Sequence, residues 1–172
     1  MVQEITLLGN PVLRQRCSPV KDFESPEIRS LITDLADTLA DFRSRRGFGR
    51  GIAAPQVGST KQVVYVDFEI RGPMVNPRIV ARSRKKMRLW DDCFSFPDLL
   101  VMVERSYAVK VAYRDEHGKA RTVNAEGALS ELLQHEIDHV HGILAIDRAI
   151  DSKHIILRSE HEKQVRREPI IF

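Results

Sequence analysis

Apolar residues recur with helical spacing at Ile28, Leu31, Ile32, Leu35, Leu39 and Phe42, which predicts an amphipathic helix. Ser25 can cap its start, Pro26 suits its first position, and Glu27 favours the positive end of the dipole. The glycines of Gly47–Gly51 end it. Residues 5–20 lack a period and carry turn signals at Gly9-Asn10-Pro11 and Ser18-Pro19, so they read as an irregular arm. Beyond the helix the chain turns β-branched and aromatic. Gln62–Phe68, Met74–Val80, Leu99–Glu104, Tyr107–Tyr113 and Arg121–Asn124 are the predicted strands. Asp115-Glu116-His117-Gly118 forms a hairpin turn between the last two. Helical spacing returns at Leu129, Leu132, Leu133, Ile137 and Val140, predicting a helix over residues 126–141 that Gly142 stops. A charged third helix over residues 151–166 is expected on the surface, and Pro169-Ile170-Ile171-Phe172 is expected to dock as a strand. Strand runs beside separate helices predict an α+β fold, and the length of 172 residues suits one domain over residues 1–172.

Composition narrows the class. Hydrophobic residues make up 42% and charged residues 30%, which argues against disorder. No apolar run reaches the ~18 residues of a membrane helix. The start, Met1-Val2-Gln3-Glu4, lacks a secretory pattern, so a cytoplasmic location and reduced thiols at Cys17 and Cys93 are expected. Basic residues cluster at Arg43, Arg45, Arg46 and Arg50, and again at Arg82, Arg84, Lys85, Lys86 and Arg88. The plainer account is a solvated helix end and a solvated strand edge. Contact with ribosomal RNA is the sharper one, but no stacking aromatics accompany the clusters. Nothing demands more than a monomer.

The chemistry concentrates in His135-Glu136-Ile137-Asp138-His139. Positions i and i+4 share a helix face, so both imidazoles can reach one ion. Glu136 beside the first ligand can take a proton from water that the ion activates. The third ligand is open on spacing alone. A metzincin pattern would need His at position 145, which is Ala145. Glu160 and Glu162 lie where a thermolysin-like site would want an acid, but on a segment that is charged throughout. Cys93 would complete a thiolate and two-imidazole set, or be a small buried hydrophobe.

Three segments together resemble the peptide deformylase family: Gly49-Arg50-Gly51-Ile52-Ala53-Ala54-Pro55-Gln56-Val57-Gly58, Asp91-Asp92-Cys93-Phe94-Ser95 and Gln134-His135-Glu136-Ile137-Asp138-His139. Leu8–Arg14 and Val75-Asn76-Pro77 look familial too, and the likeness spans residues 5–165. The resemblance implies sheets, antiparallel or mixed, around a central helix that bears the histidines. It implies removal of the N-formyl group from the N-terminal formylmethionine of newly made polypeptides. Cys93, His135 and His139 would hold one divalent ion, Fe²⁺ by family, with Zn²⁺ or Ni²⁺ as substitutes. Glu136 would serve as general base, then protonate the departing amine. The Gln56 amide and the Phe94 N–H would donate to the formyl oxygen. Gly51 would let the substrate backbone approach, with the peptide laid along a strand edge.

The sequence departs from the family around the substrate pocket. Asp91-Asp92 stands where Glu-Gly is usual, with Asp91 expected to pair with Arg105. Phe94 replaces a usual Leu. Arg50 and Glu131 stand where apolar pocket residues are expected, and Leu100 where the family often has a peptide-binding Arg. Two unpaired charges in such a pocket would cost several kcal/mol, so they either pair or swing to solvent. Two alternatives follow: a hydrolase acting on another N-formyl compound, or a non-catalytic binding relative.

Overall fold

The computed structural model describes residues 1–167. Helix α1 (Pro26–Arg46) begins where the sequence places it: the Ser25 hydroxyl accepts from the Ile28 N–H, and Gly47 closes the helix in the left-handed conformation. Strand β1 (Gly51–Ala53) follows, then β2 (Val63–Asp67), β3 (Arg71–Arg82), β4 (Lys86–Asp91), β5 (Leu99–Ser106), β6 (Ala108–Arg114) and β7 (Ala120–Glu126). Helix α2 (Gly127–Val140), strand β8 (Ile155–Leu157) and helix α3 (Arg158–Arg167) complete the described chain.

The strands form two sheets, a five-stranded one in the order β1-β2-β3-β6-β7 and a three-stranded one in the order β4-β5-β8. Every ladder is antiparallel. Parallel pairing among the described residues is confined to an isolated bridge between Ser18 and Lys61, so of the two sheet types expected the antiparallel one is found. The α+β class stands.

Three strands differ from the sequence reading. β1 is only three residues long and begins at a glycine, Gly51. β4 carries the second basic cluster, whose lysines and arginines hide its period of two. β8 lies inside the segment expected to be helical: Ile155–Leu157 pair with Val101–Leu99, so α3 starts at Arg158 instead of residue 151. The tail Pro169–Phe172 lies outside the described residues. Among the described residues no helix is long and apolar enough to cross a membrane.

Helix α2 runs between the sheets. Leu129, Leu132, Leu133, Ile137 and Val140 pack on Ala53, Val64, Val66, Met74, Val109, Val111 and Ala125 of the five-stranded sheet. Its polar face is buried too, at Ser130, Glu131, Gln134, His135, Glu136, Asp138 and His139, because β5 and the loop after β4 cover it. Buried polar groups demand partners. Gln134 supplies several: its amide donates to the Ser106 and Ser130 carbonyls and accepts from the Ser106 N–H and Arg82, tying α2 to the end of β5. The N-terminal arm is clamped by Asn76, whose amide accepts from the Val20 N–H and donates to its carbonyl, both at 2.8 Å. Asn76 holds a left-handed φ of 52° there.

Candidate metal centre and active site

Two elements bring the ligands together. One helical turn of α2 presents His135 and His139, and the loop between β4 and β5 folds Cys93 onto them. The Cys93 sulfur lies 3.3 Å from His139 Nε2, which lies 3.1 Å from His135 Nε2. All three are buried, and their donor atoms fall within 4.8 Å of one another. A tetrahedral ion with ordinary metal–nitrogen and metal–sulfur bond lengths would hold such atoms about 3.3–3.6 Å apart. The donor set therefore fits one ion with little adjustment.

The two imidazoles sit in different electrostatic surroundings. Burial disfavours a charged His135 ring, but the Asp91 carboxylate outweighs it and pulls its pKa well above the ordinary value. Burial, reinforced by His135, pushes His139 well below it. Asp91 Oδ1 sits 2.9 Å from His135 Nδ1, which leaves Nε2 directed at the centre. Although burial pushes the Asp91 pKa up, His135 and Arg105 hold it well below the usual carboxylate range. Arg105 donates to Asp91 from Nη2 at 2.9 Å and to Asp138 from Nη1 at 2.9 Å. Asp138 in turn accepts from Arg148. The Asp91–Arg105 pair was foreseeable; Asp138, one residue before a histidine ligand candidate, was not singled out.

A cavity of about 460 Å³ opens onto this centre, lined among others by Gln56, Cys93, Phe94, Leu132, His135 and Glu136. Glu136 is buried and its Oε2 lacks a hydrogen-bond partner among the described residues. Burial pushes its pKa up to about 7, with His135 opposing, so near neutral pH it can both accept and return a proton. The Gln56 carbonyl oxygen accepts from the Ala53 N–H at 2.8 Å, which turns its NH₂ toward Cys93 Sγ, 3.5 Å away. Gly51 lines the cavity, and its lack of a side chain has a reason within the protein as well. A Cβ there would meet Glu136 Oε1 at 2.8 Å and Leu132 Cδ1 at 3.0 Å, so the missing side chain makes room for the candidate base. Gly49, with φ of 128°, likewise leaves room for the Phe94 ring.

A family model described as Polypeptide deformylase matches residues 2–154. The chain belongs to the peptide deformylase family. A peptide deformylase from Desulfitobacterium hafniense is 40% identical over 152 residues, covering 86% of this chain and 95% of that protein. One from Parafrankia sp. is 37% identical over 171 residues, covering 98% and 90%. Among solved structures, peptide deformylase from Legionella pneumophila superposes with a TM-score of 0.82 at 30% identity, covering 98% of this chain and all of that one. The Synechococcus elongatus enzyme in complex with actinonin gives 0.81 at 33%, covering 88% and 81%.

Against this family background the pocket departures can be placed. Arg50 and Glu131 do pair, Nη2 to Oε2 at 2.5 Å, with the Glu131 side chain 4% exposed and that of Arg50 35%. Both line the cavity. Arg43 lines it as well, held by Asp67 and the Gly49 carbonyl. These two arginines of the first basic cluster are thus not simply a solvated helix end. Leu100 is a substrate-pocket candidate that does not line the cavity. On β5, Val101 and Val103 face a core shared with Cys93, so Leu100 points to the opposite side. Trp90 shares that side and does line the cavity, its ring meeting His161 of α3 at 5.6 Å, but Leu100 is buried without reaching the cavity. The residues missed from sequence, Phe48, Trp90, Leu132 and Arg43, come from four separate segments and carry no local motif.

Proposed function

We propose that the chain is a metal-dependent amide hydrolase that removes the N-formyl group from the N-terminal formylmethionine of newly made polypeptides, acting as one cytoplasmic, monomeric domain. The observation that carries this reading is the convergence of Cys93, His135 and His139 beside a cavity lined by Cys93, His135 and Glu136, with a buried Glu136 carboxylate oxygen that has no partner among the described residues. Cys93, His135 and His139 are the ligands of one divalent ion. When bound, that ion supplies Lewis acidity and makes water a nucleophile near neutral pH. Fe²⁺ is the working metal by family, with Zn²⁺ or Ni²⁺ able to substitute; a thiolate and two imidazoles suit Zn²⁺ on affinity grounds.

The remaining steps belong to the chain's own groups. The Glu136 carboxylate accepts a proton from the attacking water and returns it to the amine that leaves. The Gln56 NH₂ and the Phe94 N–H donate to the formyl oxygen as negative charge develops on it, each worth about 3–4 kcal/mol in comparable sites. Asp91 holds the His135 ring in orientation, and Arg105 holds Asp91. The buried setting excludes bulk water and strengthens each of these interactions.

Formate release from a formyl-Met peptide by anaerobically prepared, Fe²⁺- or Ni²⁺-loaded protein is the direct test. Glu136→Ala should lower turnover by about 10²–10⁴-fold, the usual contribution of a positioned acid–base group, with metal content unchanged. Undiminished turnover in that variant would show that the base is another group. The Arg50–Glu131 pair in the cavity wall favours a second reading, an N-formyl substrate bearing polar groups. Wild-type turnover of a formylated polar compound above that of formyl-Met peptide would select it.

A further inference from the structure

Cys93 sits in a loop of residues 92–98 that has left the β4–β5 ladder, whose last pair is Asp91 with Val101. Such a loop needs outside support to hold a metal ligand in place. Much of that support converges on the first residue of α3. Arg158 donates from Nη2 to Asp92 Oδ2 at 2.8 Å and from Nε to the Pro97 carbonyl at 3.0 Å. Its backbone N–H donates to the Asp98 carbonyl at 2.8 Å. One guanidinium thus joins the two ends of the loop.

The same guanidinium lies over the Phe48 ring at 4.1 Å. Phe48 meets Phe94 edge-on at 6.1 Å, and Phe94 stacks on Phe42 at 3.7 Å. Arg158 therefore reaches both neighbours of Cys93: Asp92 directly, and Phe94 through Phe48. It also gives Asp92, which departs from the family's glycine, its counter-charge. A pair whose side chains are 26% and 33% exposed adds little to global stability. Its distinguishing property is the planar fork, which fixes direction in a way a lysine cannot.

We propose that Arg158 is a positioning residue that orients the Cys93–Phe94 segment, and with it the thiolate ligand and the Phe94 N–H, from outside the cavity. This rests on the reading of Cys93 as ligand and Phe94 as donor. Because Arg158 does not line the cavity, its loss acts on kcat and not on substrate binding.

The test uses the full chain, loaded with Co²⁺ for spectroscopy and with Ni²⁺ for kinetics. Arg158→Ala should shift the thiolate-to-Co²⁺ absorption band and lower kcat by about 10–100-fold, the scale of a small misplacement of reacting groups. KM for a formyl-Met peptide should stay within about twofold, and the unfolding midpoint within a few degrees, about what an exposed pair contributes. Arg158→Lys should recover only part of kcat, and Asp92→Asn should shift the same band. An unshifted band with wild-type kcat in Arg158→Ala overturns the proposal. If Arg158→Ala does not fold, wild-type band and kcat in both Arg158→Lys and Asp92→Asn overturn it instead. Failure of the wild-type protein to release formate would overturn the deformylase reading alone, since the band shift reports ligand geometry without turnover.

Discussion

Replacing Arg50 by isoleucine removes the counter-charge of a carboxylate that is almost fully buried. Glu131 and Arg50 meet at 2.5 Å, with side-chain exposures of 4% and 35%. Charge centres about 4 Å apart attract by about 4 kcal/mol at an effective dielectric constant of 20. Solvent on the Arg50 side screens this, and a coupling of about 2 kcal/mol is expected, between exposed and fully buried pairs. Burial already pushes the Glu131 pKa up, reinforced by Asp91, with Arg50 opposing. Arg50→Ile should therefore cost about 1–3 kcal/mol, the price of an unsatisfied buried group. Glu131→Ile should cost less, because Arg50 can turn toward solvent. The double variant should return close to wild-type stability, as hydrophobic replacement of a buried pair often does. Urea denaturation of the four metal-loaded proteins at pH 7 closes the double-mutant cycle. Strictly additive losses would refute the coupling. The same four proteins test the pocket: if the pair restricts it, the double variant turns over formyl-Met peptide faster than wild type.

Two further predictions concern the thiols. Removing the ion with a chelator should cost about 4 kcal/mol of stability relative to a thousandfold excess of metal over Kd. It should open Cys93 to alkylation while Cys17 stays unmodified, as read by mass spectrometry of digests; equal labelling of both would contradict the ligand assignment. Burial pushes the Cys17 thiol up to about 11. Its contribution is then fully present below the unfolded pKa of about 8.5 and is lost as pH rises toward 11, because the unfolded thiol ionises first. Cys17→Val should flatten that alkaline decline in the unfolding midpoint, and an unchanged slope would assign it to another group.

Local periodicity carried much of the architecture. The stripe from Ile28 to Phe42 and its Ser25 cap specify α1, and the stripe from Leu129 to Val140 specifies α2, because helical hydrogen bonds and faces depend on near neighbours. The His135–His139 spacing is legible for the same reason. Strands depend on distant partners. Lys86–Asp91 and Ile155–Leu157 become β4 and β8 only by pairing with the two edges of β5, and their own residues favour neither outcome strongly. Cys93 shows the limit most clearly: spacing left it either a ligand or a buried hydrophobe, and family resemblance named it. Its sulfur comes within reach of the imidazoles because a loop 42 residues earlier than His135 folds over α2. For the departures the sequence left Arg50 and Glu131 either paired or turned to solvent, and it offered no partner for Asp92. Arg50 meets Glu131 across 81 positions and Arg158 meets Asp92 across 66, and such charge pairs have no periodicity to announce them. Sequence alone determined which residue types could do the chemistry and which helix bears two of them. Tertiary packing decided which charges are buried together, since burial and proximity are properties of the assembled layers and not of any one segment.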